Sequence, residues 1–277
     1  MVRIVTDSSA LYTREEAREL GFDTAPLCLH IDDWEGKDLE MDYDRFYAKI
    51  KEGHNPKSSQ PAIGDVVELY EKYPNDEIIN ITIADGLSGT YDSACSAKEM
   101  VENKERITVI NSTTLCGPHR YLVDTALKMA SEGKDRAEIV NWLKETCASA
   151  TSFLLPQDFS FLRRGGRLTP VAATISSFLK LKPILITTPD GKRLDKFGVK
   201  RTLRSAATSI IKYLEEIPID EKYAFYIAHA NVPEDADFVK NVISKAFPKI
   251  EIQMFKLSHA FITQGGPGCI AIQYMKR

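Results

Sequence analysis

The sequence predicts a two-domain α/β protein, and three observations carry that prediction. Short apolar strands alternate with helix-period segments through the first half, as in α/β layers around a largely parallel sheet. The second half turns to a hairpin and a mixed run of strands and helices. A length of 277 residues leaves room for two ordinary hydrophobic cores. The change of character falls near residues 150–160, so the expected domains are 1–155, mostly parallel, and 156–277, mixed.

The elements follow in order. "RIVTDSS" reads as a buried strand, and "TREEARELG" as a helix with Thr13 and Glu16 at capping-box spacing. "DTAPLCLHI" is a second apolar strand, and "DYDRFYAKIKEG" is an amphipathic helix capped by Asp42 and stopped at Gly53. A polar loop, "KSSQPAIG", leads to the helix "DVVELYEKY", then to the strand "EIINITIA" and a helix from Ser88 to about Val101. The strand "RITVIN" and two helices, "GPHRYLVDTALKMASEG" and "DRAEIVNWLKETCAS", close the first half. Beyond it come a short apolar "TSFLLP", the glycine-broken basic segment "QDFSFLRRGGRLTP", and an apolar helix "VAATISSFLKL". "KPILITTPDGKRLDKFGV" is a hairpin turning at Asp190-Gly191. "TLRSAATSIIKYLEE" and "PEDADFVKNVISKAF" are helices, and "YAFYIAHA", "IEIQMFKLS" and "CIAIQYM" are strands, the last preceded by "TQGGPG".

Bulk composition narrows the function classes. Hydrophobic residues make up 43% and charged residues 27%, as in soluble globular chains. A formal charge of −3 with interspersed signs gives no global attraction to nucleic acid or anionic membrane. No apolar run approaches the roughly 18–20 residues of a membrane span, and the N-terminus enters a strand without a signal-peptide core. The five cysteines, Cys28, Cys95, Cys116, Cys147 and Cys269, are odd in number and lack paired spacing; they read as reduced thiols. The histidines show no metal-ligand spacing. A cytoplasmic protein without metal or cofactor is expected.

The stretch "TIADGLSGTYDSA" (82–94) raises the functional question. The hydrolase elbow G-x-S-x-G fails, because the order is Gly86-Leu87-Ser88-Gly89. G-x-x-x-x-G-K-[ST] and G-x-G-x-x-G are both absent. Strand, glycine turn and a helix start with Ser88 and Thr90 suit capture of one small anion by backbone N–H groups and hydroxyls. On this loop alone, plain N-capping by Ser88 or Thr90 is the commoner use of such residues. Two further hydroxyl loops, "TDSS" (6–9) and "SSQP" (58–61), add to the anion reading. Loops at the carboxyl ends of parallel strands line one crevice, and a polar mouth without Arg or Lys suits a carboxylate.

"VTDSSA", "SSQPAIGDVVELYEKY", "GLSGTYDSA", "GGRL" before an apolar helix and "LKPIL", then "AHAN" and a late "GPG" occur in this order through the whole chain. In that order and spacing the chain resembles the DegV family of bacterial fatty-acid-binding proteins. The resemblance implies a two-domain α/β fold holding one long-chain fatty acid between the domains, with the acyl chain in a tunnel of the C-terminal domain. It implies that Ser58 and Ser88 hold the carboxylate. Ser59, Gly89, Thr90 and His229 are candidate supporting groups beside them, although a lone histidine such as His229 is more often structural. It also implies a separate ATP-dependent fatty acid kinase as partner, feeding phospholipid synthesis, with this protein as a presenting subunit without catalysis of its own.

Two positions depart from the family pattern. Ser58 stands where the family has threonine, which keeps the hydroxyl. Gln264 stands at the position of the family's histidine; its amide can donate to a carboxylate but cannot carry charge or move a proton. The expected acyl wall is Phe161, Leu162, Ala173, Ile175, Phe178, Leu179, Leu181 and Phe261, each of which taken singly also reads as ordinary core. Burying about 15 methylenes is worth on the order of 12 kcal/mol gross, reduced by the freedom lost on binding. Arg163, Arg164 and Arg167 in "RRGGR" read either as a solvated basic loop or as a partner-docking rim, since guanidinium forks suit phosphate and carboxylate. Two other readings remain: a carrier of a different amphipathic lipid, and an enzyme using Ser88 as nucleophile.

Overall fold

The alternation read from the first half is realised as β1 (Val2–Asp7), α1 (Arg14–Glu19), β2 (Asp23–Ala25), β3 (Cys28–Ile31), β4 (Trp34–Lys37), α2 (Tyr43–Lys51) and β5 (Lys57–Ser59). It continues through α3 (Ile63–Glu71), β6 (Glu77–Thr82), α4 (Thr90–Glu99), β7 (Ile107–Asn111), α5 (Cys116–Ser131) and α6 (Arg136–Cys147). The second half carries β8 (Thr151–Leu155), α7 (Phe159–Gly165), α8 (Pro170–Ala173), β9 (Lys182–Thr187), β10 (Leu194–Lys200) and α9 (Leu203–Leu214). It ends with β11 (Tyr223–His229), α10 (Pro233–Ala246), β12 (Ile252–Lys256), α11 (His259–Gly265) and β13 (Ile270–Lys276). This is a computed structural model, and it describes residues 1–174 and 181–277. Two units make up the chain: Met1–Ala148 with Ser258–Ala260, and Ser149–Leu257 with Phe261–Arg277. β8, which the sequence division placed in the first domain, pairs with β13 and β9 in the second unit's sheet.

In the first unit the main sheet is parallel throughout, in the order β2-β1-β6-β7. Strand order reverses between β1 and β6, and the carboxyl ends of such a pair flank the usual ligand crevice. Helix starts follow the sequence signals where a side chain sets them. Thr13 and Glu16 close a reciprocal capping box on α1, and Asp42 accepts from the Arg45 N–H at 2.7 Å to start α2. Ile78, Ile79 and Ile81 of β6 are fully buried. The segment expected as one strand, "DTAPLCLHI", splits instead: β2 joins the parallel sheet, while β3 pairs antiparallel with β4 and β5 in a separate sheet.

The second unit is a six-stranded mixed sheet, β10-β9-β8-β13-β11-β12. The expected hairpin is β9–β10, antiparallel, with Gly191 at φ +71° in its turn. Alternation along the strands separates two cores. Phe153, Ile184 and Ile272 pack with α9 and α10, whereas Leu185 packs with Phe159, Leu162, Leu168 and Ala172 of the α7–α8 region. α7 and α8 therefore cover one face of this sheet, and α9 and α10 the other. Among the described residues no helix is long and apolar enough to cross a membrane.

Candidate functional site

The helix after β6 begins at Thr90, with Gly89 at its N-cap and no side chain accepting from its first turn. Ser88 therefore stands outside the helix, and its hydroxyl is not used as a cap. Its Oγ lies 2.8 Å from the Thr90 Oγ1, in a half-buried loop, while its N–H donates to the Ala84 carbonyl at 3.2 Å. Thr90 is buried and Ser88 half-buried, so the pair presents a hydroxyl at the carboxyl end of β6. The group beside the Ser88 Oγ is the Thr90 hydroxyl, whereas a nucleophile would call for an imidazole or carboxylate base.

Ser58 sits in β5, half-buried, opposite Leu29 of β3, with exposed Ser59 next to it. The two hydroxyl loops meet at Gly89. A Cβ at this position would stand 3.3 Å from the Gln60 Oε1, so the bare Cα lets the SSQP side chain lie against the GLSGT turn. The Ser58 and Ser88 segments are thus brought together through Gln60, a residue the sequence reading did not single out.

The TDSS loop differs from its expected role. Thr6, Ser8 and Ser9 are buried and engaged internally. Thr6 Oγ1 donates to the Ile81 carbonyl at 2.7 Å, and Ser8 Oγ donates to Asp38 at 2.7 Å. Asp7 accepts from the N–H groups of Ser9 and Ile83, both at 2.8 Å, which ties the loops after β1 and β6 together. His119 Nε2 lies 3.1 Å from the Ile81 carbonyl, which can only accept, so Nε2 carries the proton and Nδ1 accepts from Ser9 Oγ at 2.7 Å. Burial pulls the His119 pKa down and keeps the ring neutral. This network braces the crevice and does not open into a mouth.

Beside it lies a carboxyl that no motif or spacing marks. Asp38 is buried, and among the described residues no cation lies within hydrogen-bond distance of it; Ser8 Oγ and the Ala260 N–H donate to it at 2.7 and 3.0 Å. Burial pushes its pKa up to about 6, against the pull of these donors. His259, 3.8 Å from it, stacks on Tyr43 at 3.8 Å between centroids, and burial drops its pKa to about 4, so the imidazole is neutral. A carboxyl raised in the folded state contributes stability fully present below its unfolded pKa and lost as pH rises through about 6. Compared with an Asp38→Asn variant, the wild type should therefore gain about 2 kcal/mol of unfolding free energy between pH 7 and pH 4. His259 acts in the opposite sense, losing its contribution as pH falls through about 4, and does so in both proteins. Denaturant titrations at several pH values would show the difference, and a flat one would place the Asp38 titration elsewhere.

In the second unit, α7 and α11 meet at two glycines. A Cβ at Gly165 would overlap the Gln264 Oε1, and one at Gly266 would stand 2.9 Å from the Phe161 ring. Gln264, Phe161 and the RRGGR segment are thus neighbours. Phe161 and Leu162 are buried, Leu181 and Phe261 are half-buried, and Ala173 is exposed. Ile175, Phe178 and Leu179 lie outside the described residues. Arg163 and Arg164 are exposed on α7, the Arg164 guanidinium 4.5 Å over the Phe161 ring; Arg167 donates to the Gly165 carbonyl. His229 ends β11, where its Nδ1 accepts from the Val232 N–H at 3.2 Å; burial and then Lys256 lower its pKa. The AHAN and GPG segments are joined there, since the Gly268 N–H donates to the Ala230 carbonyl at 2.9 Å.

A model of the DegV family matches residues 1–277. The protein DegV of Bacillus subtilis is 30% identical over 282 residues, covering 98% of each chain. A DegV domain-containing protein of Listeria innocua is 29% identical over 283 residues, covering 99% of this chain and 98% of its own. Among solved structures, the B. subtilis DegV, described as a fatty acid binding protein, superposes with a TM-score of 0.86 at 28% identity, covering 100% of this chain and 99% of its own. A DegV family protein from Eubacterium eligens loaded with heptadecanoic acid gives 0.87 at 23% identity, with full coverage of both chains; at that identity it shows the fold alone. The match over residues 1–277, together with the ordered motifs and the two-unit α/β fold, gives the conclusion: this chain belongs to the DegV family.

Proposed function

We propose that the protein binds one long-chain fatty acid, with Ser58 and Ser88 donating to the carboxylate. The apolar side chains of the second unit, Phe161 and Leu162 among them, would take the acyl chain. The observation that carries this reading is that Gly89 is the N-cap of α4, which leaves the Ser88 hydroxyl at the crevice end of β6 without a capping duty. A carboxylate buried without partners costs several kcal/mol, and hydroxyl and backbone N–H donors meet that need without a buried cation. Gln264 adds a neutral amide at the α7–α11 junction, suited to a head group that is held and not protonated.

In this reading the protein presents the acid to a separate ATP-dependent kinase, which transfers the γ-phosphoryl group to the carboxylate and releases ADP and an acyl phosphate. Exposed Arg163 and Arg164 supply a rim for that partner. Native mass spectrometry of the purified protein, followed by denaturing extraction, tests the first step. One long-chain acid per chain is expected; a protein that arrives empty and binds none in titration would overturn the reading. With ATP and a bacterial fatty acid kinase subunit, the bound acid should become an acyl phosphate. An Arg163→Ala/Arg164→Ala variant should keep its affinity and lose that turnover.

A further inference from the structure

The first unit holds a thiol, an amine and a carboxylate in one chain of contacts that fatty-acid binding does not use. Cys28 of β3 and Lys37 of β4 are direct partners across an antiparallel pair, so their side chains share one face of the small sheet. The Lys37 Nζ lies 3.3 Å from the Cys28 Sγ and 2.5 Å from the Asp65 Oδ2. Asp65 belongs to the first turn of α3. All three residues are half-buried, within reach of a small solute.

The surroundings of Cys28 differ from those of the other thiols. Cys116, Cys147 and Cys269 are buried, and burial pushes the Cys147 and Cys269 thiols up to about 12. Cys95 is half-buried, and burial raises its thiol as well. At Cys28 the sulfur instead meets an ammonium. Desolvation works against the charge on Lys37, but its bonds to Asp65 and Cys28 outweigh this and raise its pKa. The resting group is therefore a cation that donates to the sulfur. All five cysteines are free, and the group placed to answer an oxidised Cys28 is this amine.

We propose that Cys28 and Lys37 are a peroxide-responsive pair that closes a reversible sulfur–nitrogen cross-link. First, the Cys28 sulfur attacks one oxygen of hydrogen peroxide and the O–O bond breaks. The other oxygen leaves with the thiol proton as water, and the cysteine becomes a sulfenic acid. The sulfur loses two electrons and the peroxide gains them. Next, the Lys37 ammonium yields one proton to the Asp65 carboxylate, and the free amine attacks the sulfur. The S–N bond forms as the S–O bond breaks, and the hydroxyl leaves with a second proton of the amine as water. This step consumes no oxidant. Closing the 3.3 Å gap asks only for rotation of the flexible lysine stem. Once linked, the sulfur no longer offers a sulfenic acid that further peroxide would carry irreversibly to sulfinic acid.

Peroxide treatment of the full-length protein, followed by intact-mass and peptide mass spectrometry, tests this. The expected product has lost two hydrogens and yields a peptide pair joined through Cys28 and Lys37, which dithiothreitol reopens. Cys28→Ser should abolish the link. Lys37→Arg keeps a cation at the sulfur but cannot give up its proton, so its Cys28 should run on to sulfinic acid. Asp65→Asn should slow closure severalfold. Sulfinic acid at Cys28 of the wild type without a link would overturn the proposal. So would a Cys28 that stays reduced while Cys95 is oxidised, or a link to a different lysine. The wild-type peptide map decides the matter even if a variant fails to fold. No lipid enters the assay, so the result is separate from the fate of the fatty-acid reading.

Discussion

Alanine at both Ser58 and Ser88 is expected to weaken fatty-acid binding by on the order of 10²–10³-fold. Hydrogen bonds to a charged group contribute about 1.5–3 kcal/mol each, and each 1.4 kcal/mol is about tenfold in affinity. Two lost donors would give more than this range if nothing compensated, and the backbone N–H groups of both loops remain. The loss should be an offset common to all acids. Each methylene contributes about 0.8 kcal/mol wherever the chain is buried, and neither serine bears on that increment. Titrating tetradecanoic, hexadecanoic and octadecanoic acids should therefore give parallel lines for wild type and variant. A change of slope would show that the hydroxyls shape the chain's path instead of holding its head. Ser88→Ala alone should leave the thermal midpoint almost unmoved, because no cap is lost; a serine that did cap α4 would take about 1 kcal/mol with it.

That test exists because of a detail the sequence could not decide. Where a side chain itself fixes a helix start, the sequence is explicit: Thr13 with Glu16 and Asp42 behave as their spacing says. At the GLSGT turn the question is whether the first helical residue is Ser88 or Thr90, a shift of two positions within ordinary boundary scatter. That shift separates a cap from a ligand-facing hydroxyl. The β3–β5 sheet was illegible for another reason, since strands of three or four residues carry too little alternation to show a period. Its absence from the sequence reading placed the SSQP loop at the end of a parallel strand, whereas Ser58 lies in an antiparallel one. The TDSS serines read as a polar mouth because hydroxyls look alike in sequence whether they face solvent or a buried Asp38 or His119. The glycine contacts at positions 89, 165 and 266 are likewise products of packing.

The glycines of the α7–α11 junction should give opposite results on substitution. At Gly266, φ is +80°, a region that favours glycine, and a Cβ would press into the Phe161 ring at 2.9 and 3.1 Å. Phe161 is buried and its ring atoms lie close to the backbone, so the clash cannot be relieved by a side-chain tip. Gly266→Ala should cost about 1 kcal/mol for the backbone and about 1–3 kcal/mol for overpacking. That sum would lower the thermal midpoint by roughly 6–15 °C. At Gly165 the obstacle is the far end of a flexible side chain, the Gln264 Oε1. Gly165→Ala should therefore leave the midpoint within about 2 °C while displacing the amide. If Gln264 touches the head group, affinity falls by about tenfold, as for one neutral hydrogen bond, and Gln264→Ala falls by the same factor without adding to it. If Gly165→Ala binds like wild type, Gln264 only fills space beside α7. The two alanines thus separate the residue that supports the junction from the one that acts in it.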